Sequence, residues 1–137
     1  MSRLIPLFFL VALCAGCGGL STQTEGDALQ VTLNAYENAL RWGGFDQAVK
    51  YIDPETLKQH PLTELDVERY KQFRVISYTE QPSVPVAKHE ISQIVEVGVV
   101  NVNTQIERTV IDRQVWRYDE KTKHWHIVSG LPDMTQR

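Results

Sequence analysis

The spacing of apolar residues changes once along this chain, near Phe73, and that change limits the folds open to it. From Asp27 onward Leu29, Leu33, Tyr36 and Leu40 recur at helical spacing, with Ala28, Ala35 and Ala39 beside them, until Gly43-Gly44 interrupts the pattern. Asp46 is placed to cap a second, shorter helix carrying Phe45, Val49 and Ile52 on one side, and Asp53-Pro54 opens a further turn with Pro at its permitted first position. His60-Pro61 ends that turn. Thr63 then caps a third helix with Asp66 as the capping-box acid, and Leu62 and Val67 sit where a hydrophobic staple would place them. Beyond Phe73 the period falls to two, and β-branched and aromatic residues dominate. Four strands are expected, over residues 74–81, 86–100, 104–119 and 124–129, joined by short connections that favour antiparallel pairing of neighbours. The expected class is therefore α+β, with N-terminal helices packed on a curved antiparallel sheet of about four strands. Gly98 is a natural site for a bulge or bend in the long second strand.

Alternation predicts which side chains face the helices. On the third strand Ile106, Val110, Trp116 and Tyr118 form the apolar set, against Glu107, Thr109, Arg113 and Arg117 on the other face. The inward set also carries Arg108, Asp112 and Gln114. On the second strand Ile91, Val95, Val97 and Val99 point inward, and the same parity brings His89 and Gln93 with them. A buried polar group without a partner costs about 1–3 kcal/mol, so each of these needs a partner or a role.

The N-terminus is read separately. Arg3 is followed by an uncharged, mostly apolar run of 13 residues, Leu4 to Gly16, which is too short for a membrane span and suits a secretory signal peptide. Its exit, Cys14-Ala15-Gly16-Cys17, resembles the lipobox of bacterial lipoproteins, with Cys14 where that family usually has Leu. The resemblance implies a signal peptide over residues 1–16, a lipid on Cys17, and a flexible tether over residues 17–26 ahead of a single domain at 27–137. One acyl chain binds a membrane marginally and two or more bind it stably. Gly18 in place of Asp implies, by the same resemblance, an outer-membrane location facing the periplasm. With Cys14 removed, no cysteine pair is left for a disulfide in the mature chain.

Three helices followed by a long antiparallel meander and the terminal stretch Trp125-His126-Ile127-Val128-Ser129-Gly130-Leu131-Pro132 resemble the nuclear-transport-factor-two-like superfamily, the cone-shaped fold of ketosteroid isomerase and scytalone dehydratase. A cystatin-like wrap with fewer helices is the alternative. The resemblance implies a pocket on the concave sheet face and, in many members, dimerisation through the convex face. Here that face carries the charged set Glu107, Arg113 and Arg117, which leaves a homodimer open.

Composition narrows the function. At 42% hydrophobic and 23% charged residues the chain can form a packed core, and its net charge of −3, more negative once Arg3 is removed, offers nothing to nucleic acid. No phosphate loop, Gly-x-Ser-x-Gly elbow or His-Glu-x-x-His helix occurs, and no cofactor is implied. Asp112 with His89 is the candidate acid/base pair, a carboxyl whose pKa desolvation would raise. Its structural alternative is an Asp112 paired with an arginine or placed at a wet rim. Gln93, Asp112, Gln114, Trp116 and Tyr118 are the candidate ligand-pocket residues, although aromatics on the apolar side of a sheet are usually core. His124 and His126 share a face of the last strand, but no third ligand accompanies them, so no metal site is assigned. The expected function is a non-catalytic envelope lipoprotein that binds a partner protein or a small apolar ligand. The alternative is a cofactor-free isomerase or dehydratase.

Overall fold

The structure is a computed structural model and describes residues 24–136; the expected signal peptide, Cys14, Cys17 and most of the tether lie outside the described residues. Helix α1 (Glu25–Asn38) begins two residues earlier than the apolar pattern suggests, because the Thr24 hydroxyl accepts the Asp27 amide at 3.2 Å. The last two residues of the expected tether therefore belong to the helix. A π-helical turn (Ala39–Gly43) continues it, and Gly44, at φ 80, stops it. Helix α2 (Phe45–Ala48) starts from Gly44, so Asp46 lies in its first turn and does not cap it. A 3-10 turn (Val49–Tyr51) leads to α3 (Pro54–Gln59), capped by Asp53 through the Thr56 amide at 3.0 Å. The Thr63–Asp66 capping box opens α4 (Glu64–Lys71) as the sequence predicts.

Five strands follow: β1 (Phe73–Glu80), β2 (Val84–Ala87), β3 (Glu90–Asn101), β4 (Glu107–Asp119) and β5 (His124–Ile127). All pair antiparallel in the order β1-β3-β4-β5. The edge of β3 not taken by β4 is shared, β1 covering Val95 to Asn101 and β2 covering Glu90 to Ser92. The expected second strand is thus two strands divided by a turn in which His89 adopts a left-handed φ of 59. The bend appears in β1, where Ile76 is the extra residue between Val75 and Ser77. Gly98 lies opposite, and a Cβ there would collide with the Ser77 hydroxyl.

The helices pack on the concave face of this curled sheet. Leu33, Tyr36 and Leu40 from the first helix meet Val95, Val97, Val99, Val110 and Trp116 from the central strands, all buried. Phe45, Ala48 and Ile52 close one end, and the Trp125 indole donates to the Glu25 carbonyl at 3.0 Å to fasten the other. The inward alternation holds through β3 and β4 from Val110 onward. Ile106 departs from it: it precedes β4, directly after Gln105 (φ 58), and is 65% exposed. Past β5 the chain leaves the sheet at Gly130 (φ 83) and forms a strap along β4. Arg108 ties the strap down through the carbonyls of Met134 and Gln136, and the Gln136 carboxamide brackets the Ile111 backbone at 3.0 and 2.9 Å. A chain beginning near residue 21 keeps every core residue named here and is expected to fold, with a melting temperature that reductant does not change.

Candidate functional site

Strand parity sets three polar-capable side chains in line on the inner face of β4, namely Asp112, Gln114 and Trp116. All three are buried. The Trp116 indole N–H can only donate, so it fixes the Gln114 oxygen as its acceptor at 2.9 Å. The Gln114 amide nitrogen is left to donate, to the Asp112 carboxylate at 2.8 Å and to the Tyr78 hydroxyl at 2.9 Å. Asp112 therefore faces a neutral amide and no cation. Burial pushes its pKa up to about 6, with the Gln114 hydrogen bond pulling the other way. Among the described residues no arginine pairs with it, and the side chain is buried.

Three tyrosines feel the charge of this carboxylate. The Tyr36 hydroxyl is fully buried, has no hydrogen-bond partner among the described residues, and is raised well above the usual tyrosine range by burial and then by Asp112. Tyr78 is raised mainly by burial, and Tyr70 is pushed up to about 12 by burial followed by Asp66, Asp133 and Asp112. Asp112 also lines an opening of 460 Å³ with Ile111, Arg113, Ser129, Leu131, Asp133 and Gln136.

His89 is not part of this cluster. Its turn places it opposite Tyr118, whose amide donates to the His89 carbonyl at 2.8 Å, six residues along β4 from Asp112 and so about 20 Å away. The imidazole instead sits between Glu25 at 2.9 Å and Glu120 at 3.3 Å, tying the start of α1 to two turns of the sheet. The acid/base pairing of His89 with Asp112 is thus overturned by the break between β2 and β3. Of the other pocket candidates, Gln114 and Trp116 join Asp112, whereas Gln93 and Tyr118 lie elsewhere along the sheet. Gln93 donates to the Gln81 carbonyl at 2.9 Å and the Glu80 carboxylate at 3.3 Å, Trp116 packs edge-on against Tyr36 at 5.1 Å, and Tyr118 lies between His89 and Trp125.

The larger cavity lies where alternation along the strands does not look. Phe45 and Val49, Leu62, Val67 and Tyr70, with Phe73 and Leu131, enclose a cleft of 540 Å³ whose rim carries Asp46 and Lys71. Phe45 and Tyr70 stack at 4.7 Å to form one wall. Helix α4 buries no residue of its own, and Val67 and Leu65 stay 40% and 67% exposed. Trp42, 78% exposed on the π-helical turn, precedes by two residues the Gly44 that lines the cleft. The signal for this site was the staple pair Leu62 and Val67 on a helix otherwise rich in charge.

Among the described residues no cluster of three metal-ligating side chains occurs, and no helix is long and apolar enough to cross a membrane. His124 is exposed and His126 half-buried on the same face of β5. No family model matches the chain, and no curated protein or solved structure matches it.

Proposed function

We propose that this chain is a lipid-anchored envelope protein, held through Cys17 in the outer membrane and facing the periplasm, whose domain is a non-catalytic binding module for an apolar ligand or an apolar segment of a partner. The cleft between α2, α4, β1 and the strap carries this reading. Its volume falls in the usual range for small-molecule sites, and its walls are predominantly apolar and aromatic. Of the two rim charges, Lys71 pairs with Glu68 at 2.7 Å, and the remaining lining is mostly apolar, which suits an uncharged occupant. The cone form of the domain is in keeping with the nuclear-transport-factor-two-like resemblance. A neutral fluorescent probe, N-phenyl-1-naphthylamine, is expected to bind the domain one to one. Val67→Arg, at a half-exposed position, is expected to weaken binding about tenfold or more without lowering the melting temperature. Equal binding by the two proteins, or no binding by the wild type, contradicts the reading.

The anchor has its own test. Metabolic labelling with a fatty acid is expected to mark the wild type and Cys14→Ala but not Cys17→Ala. Label that persists in Cys17→Ala and disappears in Cys14→Ala moves the site. A second reading, a cofactor-free acid/base enzyme, is favoured by one observation, the buried Asp112 whose pKa lies near 6.

A further inference from the structure

The apolar cleft and the opening at Asp112 have one wall in common. Leu131 lines both, and it belongs to the strap that begins at Gly130. The two cavities are near one another electrostatically as well: Tyr70 forms part of the cleft wall, and Asp112 is among the charges that act on its hydroxyl. That hydroxyl is itself engaged, donating to the Pro132 carbonyl at 3.2 Å, so Tyr70 bridges helix α4 to the strap beside Leu131. On the far side of Leu131, Gln114 occupies Oδ2 of Asp112, while Oδ1 has no partner among the described residues. The buried Tyr36 hydroxyl, on which the Asp112 charge acts, also has none.

We infer that the cleft and the Asp112 opening form one composite site, for an uncharged, elongated apolar molecule with a hydrogen-bond-donating end such as an alcohol. Its body lies between Phe45, Val67 and Tyr70, and its donor reaches Oδ1 of Asp112 past Leu131. The inference rests on the binding-module reading and adds to it the chemistry of the ligand's polar end. Because Tyr70 holds the strap at Pro132 and Arg108 holds it at Met134 and Gln136, the cavities would join by rotation of the partly buried Leu131 side chain alone. The carboxylate selects for a donor: a ligand that lacks one displaces water from Oδ1 and pairs that oxygen with nothing.

The test compares 1-nonanol with its methyl ether, which has the same apolar body and no donor, as displacers of bound N-phenyl-1-naphthylamine at pH 8. In the wild type the alcohol is expected to displace at a concentration roughly tenfold lower than the ether. Asp112→Asn is expected to erase that preference, read as the ratio of alcohol to ether within each protein, because the Asn oxygen is taken by Gln114 and its amide group presents a donor to the ligand. Leu131→Phe, which narrows the junction and leaves Asp112 intact, is expected to erase it too. Equal displacement by alcohol and ether in the wild type overturns the composite site, as does a preference that survives both substitutions. Failure of the probe to bind the wild type is a different result, and it removes the binding-module reading itself.

Discussion

Replacing Trp116 by alanine is expected to bring the domain close to unfolding at room temperature. The side chain is 0% exposed and packs edge-on against Tyr36 at 5.1 Å, so its removal leaves a cavity in the centre of the concave face. Losses of this kind cost about 3–5 kcal/mol. The Gln114 oxygen, which accepts the indole N–H at 2.9 Å, loses its partner in a site sealed from water, which adds about 1–3 kcal/mol. Against a total stability of about 5–15 kcal/mol for an ordinary domain, the sum leaves little. Trp42→Ala provides the control, since that side chain is 78% exposed and its loss should change stability by no more than about 0.5 kcal/mol. Urea unfolding of the two variants beside the wild type measures both. A Trp116→Ala midpoint close to that of Trp42→Ala contradicts the packing described for the cone.

The second large effect has the opposite sign. Burial holds the folded-state pKa of Asp112 at about 6, above the ordinary value near 3.9 in an unfolded chain. The folded state therefore binds this proton more tightly. The stability it contributes is fully present below about pH 4 and is lost as pH rises through 6, a change on the order of 3 kcal/mol for a shift of about two units. Asp112→Asn removes the ionisation and keeps an oxygen to accept the Gln114 amide. The variant is expected to be more stable than the wild type at pH 8 by roughly 1–3 kcal/mol, with the advantage gone near pH 4. Had Asp112 been paired with an arginine, the same substitution would destabilise the domain by about 3–5 kcal/mol at neutral pH. A destabilised Asp112→Asn at pH 8 therefore contradicts the neutral-amide environment. The acid/base reading is tested on the same variant by whether it loses an activity while keeping its fold.

Asp112 also shows where sequence reading stopped. Period-two alternation correctly set Asp112, Gln114 and Trp116 on the inner face of β4, because parity along a strand is local. That Gln114 holds the other two together was in principle visible from the same spacing, since residues two apart on one strand are neighbours on one face. The link to Tyr78 on β1 was not, as it depends on the lateral order of strands. The caps at Asp53 and Thr63 were legible for the same local reason. The break before β3 was not, because a histidine and not a glycine or asparagine takes the left-handed conformation at the turn. His89 thereby moved from the inner face to a junction with Glu25 and Glu120. The strap was hidden for a different reason. Its anchors, Arg108 to Met134 and Gln136, and Tyr70 to Pro132, join residues far apart in the chain with no periodicity to announce them. Since the strap supplies Leu131 to the cleft, the cleft was hidden with it.

The most direct test of the binding-module account is a methyl and amide NMR titration of the domain, cut near residue 21, with N-phenyl-1-naphthylamine. The account predicts saturable shifts at Val49, Leu62, Val67 and Leu131 and at the rings of Phe45 and Tyr70, with the convex-face methyls of Ile94 and Val115 unmoved. Shifts confined to the convex face, or no saturable shift at the cleft, would contradict it.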